Sequence, residues 1–205
     1  GSTFDCLDIM HMATGGALDV FSQPLIVNMG EFIAKAYIGN GYYVNFADAS
    51  PTPSHSPMVV YRFGRAVGSQ QMMAMGAHLA AQADFENMVP RGRALIRSLP
   101  ELFFTRELLD VEASEPLLAE SWLPDIQVMF SRDSEGSTDG LYLAAKAGHN
   151  EESHNHNDVG SFVVYKNGIP GIIDVGGATY TANYGAHWVK KTAFHNLAPV
   201  IDGAG

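Results

Sequence analysis

Apolar positions in the first half of the chain recur at three- and four-residue steps. In the second half they alternate, so helices followed by strands are predicted. Phe4, Leu7, Ile9, Met10 and Met12 crowd a first helix that stops at Gly15-Gly16, residues suited to a left-handed exit. Ser22 and Pro24 mark the start of a second helix. Leu25, Met29, Phe32, Ile33 and Tyr37 then keep helical spacing until Gly39 and Gly41. A loop dense in Pro51, Pro53, Ser54 and Pro57 follows. A Met- and Ala-rich helix is expected over 69–87, with Met72, Met73 and Met75 as core filler, and Pro90, Pro100 and Pro116 punctuate two or three short helices beyond it.

After about Glu120 the period changes. Ile126, Val128 and Phe130 alternate with polar neighbours, as Leu141 and Leu143 do less strictly. The run 161–165 reads as a strand, Lys166-Asn167-Gly168 as a hairpin turn, and 169–175 as the returning strand. Residues 197–201 make a further candidate strand. The expected fold class is α+β, with a helical domain over 1–118 and an antiparallel β domain over 119–205.

The chain has 205 residues, 46% of them apolar and 17% charged, which suffices for a packed core and argues against disorder. No stretch reaches the ~18 apolar residues that span a bilayer. The formal charge of −10 argues against wrapping nucleic acid. The single Cys6 excludes an internal disulfide and a cysteine-built zinc site. The first residues, Gly1-Ser2-Thr3-Phe4-Asp5, carry no basic and apolar leader pattern, which leaves open a leader that has been removed or lies upstream.

The chemistry concentrates in His149-Asn150-Glu151-Glu152-Ser153-His154-Asn155-His156-Asn157-Asp158, which holds three of the eight histidines. Imidazole both ligates metals and moves protons near neutrality. On a strand, His154 and His156 would share a face; on a loop they could still converge. The bland alternative is a polar surface loop. Asp174 interrupts an apolar strand, where a carboxylate needs a partner or a cation, unless it merely bonds a turn at the strand end. His195 stands at the lip of another candidate strand. With His156, these two make a two-His, one-carboxylate set of the kind that holds Zn²⁺. His187 and Trp188 offer a sugar-stacking edge, Trp122 is expected to plug the junction of the two halves, and Arg62, Arg65, Lys190 and Lys191 either hold an anionic polymer or are ordinary solvated charge.

The run from Ser153 to Phe162, then Ile173-Asp174-Val175-Gly176 and Phe194-His195-Asn196, closely resembles the heparinase II/III-like polysaccharide lyases. Phe4-Asp5-Cys6-Leu7-Asp8, Ala13-Thr14-Gly15-Gly16 and Val44-Asn45-Phe46-Ala47-Asp48-Ala49 resemble the later helices of that family's (α/α) toroid. The resemblance implies the C-terminal part of a toroid followed by the start of an antiparallel β-sandwich region. It implies cleavage of uronate-containing acidic polysaccharide by β-elimination, with His154 matching the catalytic histidine. Tyr184 matches a second active-site tyrosine, for which Tyr180 is a near alternative. His156, Asp174 and His195 match the ligands of a structural zinc.

The family's other catalytic tyrosine and its asparagine lie before the segment matching Phe4-Asp5-Cys6-Leu7. The chain is therefore expected to be an internal fragment, inactive alone. Tyr42 and Tyr43 stand elsewhere in the family pattern and are expected to pack. Two alternatives stay open: a non-catalytic zinc-containing carbohydrate-binding protein of the same fold, and a zinc-dependent hydrolase. The expected partner is an acidic polysaccharide, with no nucleic acid and no membrane span; homo-oligomerisation stays open. A polymeric glycan substrate implies a periplasmic or extracellular location.

Overall fold

The structure is a computed structural model that describes residues 1–83, 95–177 and 188–197, with backbone alone for 95–98 and 100. Helices and an antiparallel sheet make an α+β chain that divides into two compact units. One unit comprises Gly1–Ala34 and Ser54–Pro116, the other Lys35–Pro53 and Leu117–Gly205.

The helical unit contains α1 (Ser2–Ala13), α2 (Pro24–Lys35, its last residue crossing into the other unit), α3 (Pro57–Val67), α4 (Gln70–Gln82) and α5 (Leu95–Leu109). The sequence reading placed Pro57 in a loop and missed α3. Its Ser56-Pro57 start is a capping pair, in which the Ser56 hydroxyl accepts the Val59 N–H at 3.4 Å and proline occupies the first turn. Pro100, expected to separate helices, lies inside α5 and removes one backbone donor without ending it. Helices α3 and α4 approach closely because Gly64 and Gly76 lack side chains; a Cβ on Gly76 would stand 2.9 Å from the Tyr61 backbone nitrogen. Met58, Tyr61, Ala77, Ala80 and Leu108 form the core around this contact. Met72 and Met75 are fully buried. Among the described residues, no helix is long and apolar enough to cross a membrane.

Arg62, read as a solvated or polymer-binding charge, is neither. Its guanidinium is buried, pairs with Asp8 and lies between the rings of Phe4 and Phe104. A burial this deep requires such a partner. Arg65 stays half-exposed, pairs with Glu107 at 3.4 Å and also covers Phe104.

The β unit begins where α2 ends. Tyr37, expected on that helix, belongs instead to β1 (Tyr37–Gly39), which pairs with β2 (Tyr42–Tyr43) across Asn40-Gly41. Five strands then form a meander: β3 (Glu120–Leu123), β4 (Val128–Arg132), β5 (Leu141–Lys146), β6 (Phe162–Lys166) and β7 (Ile169–Ile172). The turn at Asn167-Gly168 has positive φ at both residues, as a tight hairpin requires.

One sheet face is the core. Val128, Phe130, Tyr142, Ala144, Val163 and Tyr165 are buried on it, and Ile38, Tyr42, Val44 and Phe46 pack against them. Segment 35–53, assigned to the helices by sequence, thus joins the β unit because its apolar side chains cover the sheet. Tyr42 and Tyr43 pack, Tyr42 on Tyr165 and Tyr43 on Tyr37. The alternation in β5 runs opposite to the expected phase: Tyr142 and Ala144 point inward, and Leu141 and Leu143 outward. Trp122 is 54% exposed on the outer face of the sheet, beside Met129.

Candidate functional site

Two buried charged residues, one at the end of β5 and one on the loop that follows it, organise the site. Lys146 ends β5 on the buried face, and its ammonium reaches Asp158 Oδ1 at 2.7 Å and Glu152 Oε2 at 3.3 Å. The other Asp158 oxygen accepts the Ala47 N–H at 2.9 Å. Asp158 has no solvent exposure. A carboxylate buried that deeply needs donors on both oxygens, and it has them. Lys146 further fixes the loop through its backbone, which accepts the Gly160 N–H and donates to the Ser161 carbonyl. The loop 147–161 is therefore clamped at its C-terminal end and bound to the segment around Ala47.

The histidines divide on this loop. His154 has φ +62°, the left-handed region that a non-glycine residue seldom occupies. That residue breaks the alternation that would have put both rings on one face. His154 is 64% exposed and its Nδ1 meets Asp48 Oδ2 at 2.7 Å. A carboxylate oxygen accepts, so Nδ1 donates and Nε2 is the basic nitrogen of the neutral ring. His156, two residues on, is completely buried.

Behind it lies a polar cluster. His156 and His195 rings stand 5.4 Å apart, and His195 Nδ1 contacts Asp174 Oδ2 at 2.8 Å. Asp174 Oδ2 also accepts from the Ser161 hydroxyl at 3.0 Å, and Oδ1 from the Gly176 N–H at 3.0 Å. Asp174 follows β7 rather than interrupting it, since the strand ends at Ile172. It both bonds a turn and joins the buried cluster. His195 follows a single 3₁₀ turn, Thr192–Phe194. The Asn196 amide then donates to the Phe162 and Ile173 carbonyls at 3.0 and 2.8 Å, fastening this turn to the segment that carries Asp174.

Burial pushes the His156 pKa below the usual histidine value, and repulsion from His195 lowers it further; the carboxylates of Asp158, Asp174 and Asp48 pull the other way. His195 Nε2 is sealed from solvent with no hydrogen-bond partner among the described residues. A neutral imidazole and an orphaned ring nitrogen are what a divalent ion would use. By donor chemistry, then, His156, Asp174 and His195 fit zinc. By distance they are set as a hydrogen-bonded group. Two ligands of tetrahedral zinc stand roughly 3.3 Å apart, and among the described residues no three such side chains converge as a ready metal cage.

Tyr184, Tyr180 and His187 lie outside the described residues, as do 198–201 of the last candidate strand. Trp188 is half-exposed and meets the Phe194 ring edge-on at 4.8 Å, while the Lys190 carbonyl accepts the Asn157 N–H at 2.9 Å. That aromatic edge is thus tied to the histidine loop. Sequence reasoning missed Lys146 and Asp158 as organisers and gave Asp48 no role. An aspartate inside the apolar run 44–49, and a lysine at an inward strand position, were the available signals.

Residues 122–203 match the family model described as Heparinase II/III-like, C-terminal, a family of polysaccharide lyase-related function. The match covers the sheet from Trp122 onward and every histidine of the buried cluster. A comparison with curated proteins finds no match to the chain.

Removing the anchor tests the site's construction. Asp158→Ala leaves the Lys146 ammonium buried against no full partner and is expected to cost about 3–5 kcal/mol of stability. Glu152→Ala, at the exposed side of the same ammonium, is expected to cost about 1 kcal/mol or less. Urea unfolding of the two variants measures both, and equal costs would contradict the assignment.

Proposed function

With the heparinase II/III-like segment 122–203 as premise, we propose that this chain belongs to a lyase that cleaves uronate-containing acidic polysaccharide by β-elimination. The observation that carries the reading is His154: an exposed imidazole in a left-handed backbone conformation, held at Nδ1 by a carboxylate, on a loop whose flanks are buried.

In β-elimination a base takes the C5 proton, the electrons form a C4=C5 double bond, and the C4–O bond breaks. The leaving oxygen then needs a proton. The C5 proton resists removal because the neighbouring carboxylate must accept more negative charge, so donors aimed at that carboxylate lower the barrier. His154 is the residue of this chain that faces the uronate, as a base through Nε2 when the ring is neutral, or as an Nε2–H acid or donor to the carboxylate when the ring carries both protons. Tyr184 is proposed as a second active-site phenol. The helical part is read as belonging to an (α/α) toroid. Trp188 offers a face for a pyranose ring. A polymeric glycan substrate places the reaction in the periplasm or outside the cell.

His156, Asp174 and His195 are proposed to hold zinc. When bound, zinc would serve as a cross-link between the histidine loop, the segment after β7 and the turn before Asn196, with no part in the elimination. The trio's burial, with His156 two residues from His154, supports this structural role.

Two measurements follow. Intact protein incubated with heparin-like, chondroitin, hyaluronate or alginate chains is expected to release products absorbing in the ultraviolet through the new conjugated double bond. His154→Ala is expected to reduce that rate by about 10²–10⁴-fold. An unchanged rate removes His154 from the reaction, and cleavage without the absorbance would indicate a hydrolase. Metal analysis of protein prepared without chelator is expected to find zinc. Zinc returned to chelated protein is expected to raise the melting temperature, and His195→Ala to abolish that rise. Absence of zinc together with absence of a thermal response would exclude the zinc site.

A further inference from the structure

The carboxylate that holds His154 is itself held from two sides. Asp48 is mostly buried, with 17% of its side chain exposed, while the imidazole it contacts is largely in solvent. One residue earlier, Ala47 has φ +57° and gives its N–H to the Asp158 carboxylate at 2.9 Å. On the other side, Gly177 packs against the Asp48 backbone so closely that a Cβ there would lie 2.7 Å from the Asp48 carbonyl oxygen. Gly177 stands three residues after Asp174, so the histidine loop and the Asp174 segment both brace the same short stretch. The Asp48 contact bridges 106 residues of sequence.

We propose that Asp48 is a positioning residue for His154. Its carboxylate accepts the Nδ1 proton, fixes the Nδ1–H tautomer and ring orientation, and so makes Nε2 the nitrogen presented to the sugar; this last step rests on the lyase reading. A loop residue with a freely turning imidazole would present either nitrogen, and a reacting group misplaced by about 1 Å loses on the order of 100-fold in rate. The left-handed backbone at His154 is sustained by the clamp at the loop's C-terminal end.

Nitrogen-15 NMR of histidine-labelled intact protein, at alkaline pH where the rings are neutral, reads the tautomer directly. Wild-type His154 is expected to be protonated at Nδ1, and Asp48→Asn is expected to shift it toward a mixture or toward Nε2–H. In the elimination assay, Asp48→Asn is expected to lower kcat about 100-fold with KM changed by less than about 3-fold, and Asp48→Glu to recover part of the loss. Should Asp48→Asn fold poorly, Gly177→Ala displaces the same backbone and is expected to lower kcat in the same way.

A wild-type Nε2–H tautomer overturns the proposal. So does a well-folded Asp48→Asn protein with unchanged tautomer and kcat, the result of a mere loop latch. If no acidic polysaccharide is cleaved by wild type, the lyase reading fails while the tautomer result still decides the role of Asp48.

Discussion

A carboxylate sealed from water demands donors on both oxygens, and Asp158 satisfies the demand from two distant parts of the chain. Lys146 comes from the last inward position of β5, and the Ala47 amide comes from the segment that covers the sheet. Neither group can move without exposing the other's unmet polarity inside the protein. The loop between β5 and β6 is thereby pinned at one end to the sheet and along one side to residues 47–48. The placement of both loop histidines follows from that pin.

From it follows the division of the two histidines. A left-handed residue at 154 turns one imidazole outward to Asp48, while His156 goes inward to His195. The inward ring sits where burial disfavours its charge, beside a His195 nitrogen with no hydrogen-bond partner among the described residues, an arrangement suited to holding structure together. The outward ring has solvent access and a fixed partner, an arrangement suited to meeting a ligand. One short loop thus supplies a buried imidazole and an exposed one, and backbone conformation separates the two.

The residue pattern made much of this legible. The antiparallel strands and the hairpin at Asn167-Gly168 followed from alternation and turn chemistry. The His/Asn block drew attention because polar groups of that density seldom gather without purpose. Long-range packing was the illegible part. Segment 35–53 reads as the tail of a helix plus loop, and only the sheet's need for an apolar cover reveals where Ile38, Val44 and Phe46 belong. Asp48 looks like one acidic residue among 22, and no local rule pairs it with His154. Ser56-Pro57 shows the opposite problem, since the same residues that favour a loop also start a helix, and only the apolar spacing after them decides between the two.

The crystal structure of the intact protein with a bound uronate oligosaccharide is the most direct measurement of the whole account. His154 Nε2 should lie within hydrogen-bond distance of the uronate ring or its carboxylate, with His156 and His195 buried beneath and out of contact with sugar. A uronate seated away from His154, or one touching the His156 and His195 rings directly, would contradict it.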